Sequence, residues 1–275
     1  MGAGGQRGLL RLLGRRGGAA AHGLPDAVKL AAAGAKPLAG GQTLLASMKL
    51  RLSAPEQLAD LSGVKELTGI SKSADALVIG AMSRHLDVAN NAEVKAAYPA
   101  LADLASRIGD RQVRAMGTLG GSVANNDPAA CYPSAVLASG ATVITSQREI
   151  AADDFFQGLF TTALEDGELI KAIRFPIPQR AAYVKLRQKA SNFPLVGVFL
   201  AQYASGVRVA VTGAGNGVFR HKGLEDALNK AFTAESAAGV KIDASDLNSD
   251  LHASADYRAN LISVLTQRAV TQALG

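Results

Sequence analysis

Tryptophan is absent from this chain of 275 residues, cysteine occurs once, and aromatic residues amount to only 5%. Each scarcity excludes something. The single Cys131 rules out an internal disulfide and leaves no set of thiolates for an iron–sulfur cluster or a structural zinc. The four histidines, His22, His85, His221 and His252, have no ligand spacing among themselves, so this chain is expected to bind no metal. No apolar run approaches the roughly 20 residues that a membrane helix needs, which excludes a helical span. The last third of the chain holds nothing like a nucleophile with its base, and no acid–base constellation marks a catalytic residue.

The formal charge of +6 invites a nucleic-acid partner. Four of the charges, however, are Arg7, Arg11, Arg15 and Arg16, which precede the first acidic residue, Asp26; without them 25 basic residues face 23 acidic ones. What remains has no basic stripe interleaved with stacking aromatics, so nucleic acid is not an expected partner. The opening segment is rich in Arg and Gly and free of acids, which superficially suits a transit peptide, and its GRRG faintly suggests a twin-arginine signal. It lacks the apolar stretch that a secretory signal places after its charges, and the expected location is cytoplasmic. Its GAGGQRG follows no strand and so fails as a dinucleotide fingerprint.

What the chain does have is a sizeable apolar content, 48%, enough for one large domain or two modest ones, and two glycine-rich turns about eighty residues apart. The first is Ala39-Gly40-Gly41-Gln42-Thr43. The second runs from Gly117 through Thr118, Leu119, Gly120, Gly121 and Ser122 to Asn125, Asp127 and Pro128. Glycine lets the backbone come close to a ligand and accepts positive φ, so successive N–H groups can converge on an anion that a Cβ would push away. Thr43, Thr118 and Ser122 add hydroxyl donors. Either turn alone matches an ordinary tight turn; the pair can grip one diphosphate from both sides.

The elements around the turns follow from pattern. Asp26 to Gly34 predicts a helix with a glycine stop. The segment after the first turn, with Leu44, Leu45, Met48 and Leu52 at helical spacing, predicts a helix whose leucines belong to the core. Short apolar runs follow beyond Pro55, then helices over Ser83 to Asn90 and in YPALADLASRIG, and a helix and strand in PSAVLASGATVITS. A turn at 146–148 leads into EIAADDFF. ELIKAIRFPIP reads as a strand ended by Pro176 and Pro178, where the domain junction is placed. Pro194 to Ala204 and Gly206 to Gly215 predict a hairpin, followed by helices in GLEDALNKAF and from Ser254 onward, with Ser254 as N-cap and Leu261, Val264 and Leu265 on the apolar face. Strands followed by helices indicate an α+β C-terminal unit.

AGGQTLLASMKLRL, RAMGTLGGSVANNDPAACYP and SADYRANLISVLTQRAV closely resemble three successive signatures of the FAD-binding medium subunit of molybdenum hydroxylases, the group of carbon monoxide, isoquinoline, caffeine and xanthine dehydrogenases. The resemblance runs from Asp26 to the C-terminus. It implies an α+β fold with a two-lobed FAD-binding domain of the vanillyl-alcohol oxidase (PCMH) type over 25–177, its lobes breaking near 53–56. A small α+β domain of the carbon monoxide dehydrogenase flavoprotein type follows over 178–275. By matching positions, Ala39, Gly40, Gly41, Gln42, Thr43 and Leu44 would cradle the FAD pyrophosphate from one side. Gly117, Thr118, Leu119, Gly120, Gly121, Ser122, Asn125 and Asp127 would approach from the other. The backbone at Leu169 or Ile170 would touch the flavin ring, and Lys185 would sit near its pyrimidine end, where a cation raises the flavin potential.

Two positions depart from the family pattern. Cys131 stands where the family usually has an Asp able to accept a hydrogen bond from the cofactor's sugar, and a thiol is a poor acceptor. The family also begins with an aromatic-rich strand, Arg-Pro and a helix, whereas residues 1–24 here are atypical. They are expected to be a misassigned or mistranslated start, poorly ordered or badly packed.

The resemblance further implies one part of a larger oxidoreductase. A large subunit with molybdenum cofactor hydroxylates the substrate, and a small subunit with two [2Fe-2S] clusters relays electrons. This subunit's FAD delivers them to an external acceptor, and the assembly is expected to be a dimer of heterotrimers. Two other functions stay open: a self-contained flavin oxidase or dehydrogenase, and a scaffold subunit that has lost FAD.

Overall fold

The structure, a computed structural model, describes residues 17–275. Its first layer is a small parallel sheet. Strand β1 (Gly17–Ala20), helix α1 (Leu24–Ala32), β2 (Lys36–Leu38), α2 (Leu44–Lys49) and β3 (Gln57–Asp60) alternate along the chain, and β3 lies between β1 and β2. Helix α1 starts with Pro25 in its first turn, where the missing N–H costs nothing, and Gly34 follows it at φ +93°, the left-handed conformation that ends helices. Ala27 faces inward and packs with Ala21, Leu61, Val64, Leu67 and Leu169.

Residues 17–24 therefore correct the expectation of a badly packed start. Gly17 to Ala20 pair in parallel register with Gln57 to Asp60, Ala21 donates its N–H to Asp60 O at 3.0 Å, and Ala21 is buried. The part of that expectation covering 1–16 lies outside the described residues. The lobe boundary also moves. A break at 53–56 would sever β3 from the two strands it joins, so the first sheet extends through Asp60.

The second layer begins after a 3-10 turn (Lys65–Leu67) and is built on five antiparallel strands in the order β4-β5-β10-β6-β7. Strands β4 (Ile70–Lys72) and β5 (Ala76–Gly80) are followed by α3 (His85–Asn90), α4 (Ala92–Ala97), α5 (Pro99–Ser106), α6 (Arg111–Met116), α7 (Leu119–Asn125) and α8 (Tyr132–Ala138). The chain returns through β6 (Thr142–Thr145), β7 (Glu149–Ala151), the short α9 (Ala152–Phe155), the hairpin β8 (Phe156–Gly158) and β9 (Thr161–Thr162), and β10 (Ile170–Pro176). Side-chain caps punctuate the helical run. Asn91, Asp110 and Thr118 accept the third-residue N–H groups of α4, α6 and α7, Val94, Val113 and Gly121.

The third layer is an antiparallel sheet in chain order, β11 (Arg180–Arg187), β12 (Pro194–Tyr203), β13 (Gly206–Thr212) and β14 (Phe219–Arg220), with α10 (Lys222–Lys230), α11 (Ala234–Ala238) and α12 (Ala255–Leu274). Ser254 caps α12 by accepting the Tyr257 N–H. Pro194 to Ala201 are all buried because β12 is covered on both faces. Val196, Val198 and Leu200 pack against Leu261, Ile262 and Leu265 of α12, while Phe199 and Ala201 point the other way, into the core shared with Tyr98, Leu101 and Tyr183. The core of the second layer thus runs on into the third.

One packing expectation fails. No residue of α2 is buried, and Leu50 and Leu52 are 70% and 78% exposed. The helix ends at Lys49, Arg51 takes a left-handed φ of +60°, and the turn carries Leu52 off the helical face before it can join Leu45 and Met48.

Candidate functional site

The two glycine turns meet. A Cβ built on Gly40 would lie 2.1 Å from Met116 O and 2.7 Å from Gly117 Cα, and one on Gly121 would lie 3.4 Å from Ala39 Cβ. Only glycine fits at 40, because the obstruction is backbone and cannot rotate away. Gly41 has φ +71°, and a Cβ there would strike Leu45 Cδ1 at 2.5 Å.

Beside this junction lies a cleft of about 400 Å³ between the first two layers. Ala39 and Gly40 line it from the first turn and Met116 and Thr118 from the second; Ser62, Thr68, Gly69, Ile70, Met82, Ser83, Arg84, Asp87 and Asn91 complete it. Arg84 is the one cation among these lining residues. Its backbone N–H donates to Asp87 Oδ2 at 3.1 Å, and it bridges to Thr118 in an isolated antiparallel pair.

The turns differ in what their amides do. The N–H groups of Gly40, Gly41, Gln42, Thr43 and Leu44 donate to no acceptor among the described residues, although the Gly41 and Thr43 carbonyls accept from Leu45 and Ser47. The second turn's amides are spent internally. Leu119 N donates to Ser83 O (3.0 Å), Gly120 N to Ala81 O (2.8 Å), Gly121 N to Thr118 Oγ1 (3.1 Å) and Ser122 N to Thr118 O (3.1 Å). The expected two-sided cradle of amides is therefore one-sided. Residues 40–44 present amides with no acceptor among the described residues, and the second turn supplies the Thr118 hydroxyl and a backbone ledge locked onto residues 81–85.

His85 holds that ledge from behind. Its N–H donates to Gly117 O at 2.9 Å, and a Cβ on Gly117 would meet its Nε2 at 2.5 Å. The imidazole is buried 5.3 Å, centroid to centroid, from the Tyr132 ring, and neither His85 Nδ1 nor the Tyr132 hydroxyl has a hydrogen-bond partner. Burial, reinforced by the nearby Arg114 charge, lowers the His85 pKa to about 4, so the ring is neutral at neutral pH.

Other expected positions lie apart from the cleft lining. Leu169 exchanges hydrogen bonds with Ser146, donating its N–H to Ser146 Oγ and accepting from Ser146 N, and packs in the first-layer core; Ile170 begins β10 inside the second-layer core. Asp127 Oδ1 accepts the Ala129 N–H, and Asn125 closes α7. Lys185 Nζ is held at 2.8 Å by both Arg107 O and Asn192 O and at 3.5 Å by Cys131 Sγ, which puts its charge on the C-terminal end of α5. Among the lining residues that sequence reasoning missed, Ser83 and Arg84 carried the one available signal, a polar pair between an apolar strand and a helix.

The family described as FAD binding domain in molybdopterin dehydrogenase matches residues 19–178. The chain is 35% identical over 255 residues to the carbon monoxide dehydrogenase medium chain of Hydrogenophaga pseudoflava, covering 87% of this chain and 89% of that one. It is 33% identical to the nicotine 6-hydroxylase medium subunit of Paenarthrobacter nicotinovorans, covering 86% and 89%. Among solved structures it is similar to quinoline 2-oxidoreductase from Pseudomonas putida 86, with a TM-score of 0.86 at 29% identity over 94% of this chain and 96% of that one. Carbon monoxide dehydrogenase from Oligotropha carboxidovorans gives 0.85 at 30% identity over 94% and 98%.

Proposed function

This chain belongs to the family of FAD-binding domains of molybdopterin dehydrogenases, and from that premise we propose that it carries the FAD of a molybdenum hydroxylase-type complex and passes electrons from a partner's [2Fe-2S] clusters to an external acceptor. The observation that carries the reading is the contact of Gly40 with the Met116–Gly117 backbone, which sets Gly40 in the cleft between the layers and the uncommitted amides of residues 41–44 next to it in the chain. Those donors suit a pyrophosphate, and Thr118 and Arg84 line the same cleft. FAD, when bound, supplies the capacity to take up electrons and to release them singly or in pairs. The chain's own residues bind and orient it: the first turn donates, the second turn sets the opposite wall, and Ser62 and residues 68–70 also line the cleft.

Substrate hydroxylation belongs, in this reading, to a large subunit with molybdenum cofactor, and electron relay to a small iron–sulfur subunit, in a cytoplasmic dimer of heterotrimers. The medium-chain names of the relatives support such an assembly. So do Leu50 and Leu52, exposed in the turn that follows α2, where apolar side chains suit a partner subunit. Among the described residues no group of His, Cys, Asp or Glu is arranged to hold a metal.

The test is purification of the tagged chain from cells that co-express its neighbouring genes, with an absorbance spectrum and metal analysis. FAD with molybdenum and iron in a three-chain assembly is the expected result. A colourless chain after added FAD would sink the cofactor assignment, and a yellow solitary chain would sink the assembly.

A further inference from the structure

Cys131 and Lys185 come together from opposite sides of the junction between the second and third layers. Cys131 immediately precedes α8, Lys185 lies in β11, and Sγ and Nζ are 3.5 Å apart although 54 residues separate them. Nζ is fixed there by two carbonyls, Arg107 O and Asn192 O, each at 2.8 Å. A lysine on a flexible stem loses rotamer freedom to be held this way, so its placement against sulfur is a defined feature of the fold.

A second group points to the same spot. The Tyr183 hydroxyl is fully buried and has no hydrogen-bond partner. Burial pushes its pKa far above the ordinary tyrosine range, and the adjacent Cys131 thiol adds to the shift, so the phenol stays protonated and can donate.

We infer that Cys131 and Lys185 form an oxidation-sensitive pair, which hydrogen peroxide joins through a single oxygen atom bridging Sγ and Nζ. The thiol and the neutral amine react with two molecules of peroxide to give the S–O–N bridge and three of water. Sulfur loses two electrons and nitrogen loses two, and each peroxide accepts two. The S–H proton and two N–H protons leave: the ammonium first gives one to solvent, and the others depart in water. The first peroxide converts the thiol to a sulfenic acid with loss of one water; the second converts the amine to a hydroxylamine, its O–O bond breaking as the N–O bond forms and a second water leaving; the two groups then condense to S–O–N with loss of the third water. The Tyr183 hydroxyl then donates to the bridging oxygen.

The site is reachable. Cys131 is buried, but Lys185 is only partly so, and its contact with Arg107 O lies on the exposed side, where a molecule as small as peroxide enters. The bridge would tie the α8 entry to β11 covalently and draw Nζ off the Arg107 and Asn192 carbonyls. A thiol reductant would restore the pair. The chemistry needs no cofactor in the cleft.

The full-length chain, treated with hydrogen peroxide and mapped by mass spectrometry, tests this. The expected result is a peptide containing Cys131 joined to one containing Lys185, heavier than their sum by one oxygen and lighter by two hydrogens, which dithiothreitol separates. The Lys185→Arg variant, which keeps the charge, should yield only sulfinic or sulfonic acid at Cys131. Sulfinic or sulfonic acid alone in the wild type, an unmodified Cys131, or a cross-link that persists in Lys185→Arg would each overturn the proposal. If Lys185→Arg does not fold, the wild-type peptide map decides.

Discussion

Gly40 sits directly on the carbonyl of Met116: a Cβ at position 40 would be 2.1 Å from that oxygen, so the two glycine turns touch backbone to backbone. Neither chain segment can yield, since the Met116 peptide ends α6 and the next residues are locked onto Ser83 and Ala81. Gly40→Ala should therefore part the turns. The expected cost is about 1–3 kcal/mol of stability, the usual range for overpacking, together with a large loss of FAD occupancy. The control is Gly217→Ala, where a Cβ meets nothing within 4 Å. Thermal unfolding and the ratio of flavin to protein absorbance read both effects.

His85 makes the fold acid-sensitive above the carboxylate range. Its folded pKa of about 4 lies below the 6.5 of an ordinary histidine, so the unfolded chain binds the proton more readily. Stability is then full above the unfolded pKa, falls as pH drops from 6.5 toward 4, and levels off below, a total of about 3 kcal/mol at 1.36 kcal/mol per unit. His221, also lowered by burial, acts in the same direction. Glu168 is lowered too: burial raises it, but the Thr145 hydroxyl, the Glu165 N–H and Arg148 outweigh that, so its loss falls mainly below 4.5. His85→Phe should flatten the decline in urea midpoint between neutral pH and about 5. An unchanged slope would mean that His85 is not the group responsible.

How much of this was legible depended on the range of the interaction. The β12–β13 hairpin is written in two apolar runs and a Ser205-Gly206 turn, and the Ser254 cap in a local pattern. Strand β1 is not, because Gly17, Gly18, Ala19 and Ala20 have little strand preference and pair only through residues forty positions away. The glycine turns were visible as a pair, but the spending of the Leu119 and Gly120 amides on Ser83 and Ala81 is a tertiary fact with no local signature. Lys185 read as a strand lysine near a cofactor; its three acceptors come from three separate loops and helix ends. The leucines after the first turn had helical spacing, yet the positive φ at Arg51 removed Leu52 from that face.

Thr212 fastens the C-terminal sheet to the loop behind the second turn. Its hydroxyl lies 2.7 Å from both Pro128 O and Ala130 O, and the next N–H, of Gly213, donates to Pro128 O at 2.8 Å. Thr212→Val keeps the shape and leaves buried carbonyls short of a donor, which should cost about 1–3 kcal/mol. Thr212→Ser should recover most of it. A loss in Thr212→Ser with none in Thr212→Val, in a denaturant titration, would show that the methyl and not the hydroxyl matters.

Arg258 carries a buried charge whose geometry only a guanidinium matches. Nη1 donates to Leu195 O (2.9 Å) and Gly213 O (2.7 Å), and Nη2 to Asp250 Oδ2 (2.8 Å), tying α12 to the ends of β12 and β13 and to the loop before Ser254. An ammonium presents its donors from one point and cannot span two carbonyls and a carboxylate set around a plane. Arg258→Lys should therefore destabilise the protein by about 2–4 kcal/mol, somewhat below the about 3–5 kcal/mol of losing a buried partner outright because the charge is kept. The comparison is Arg174, which pairs with Glu149 at 2.6 Å but with both side chains well exposed. Arg174→Lys there should change stability by less than about 1 kcal/mol, because solvent already screens the pair. Adding salt should narrow the Arg174 effect and leave the Arg258 effect in place, since screening acts on exposed charges far more than on buried ones. Equal losses for the two variants would mean that burial of the Arg258 guanidinium contributes nothing beyond a surface ion pair.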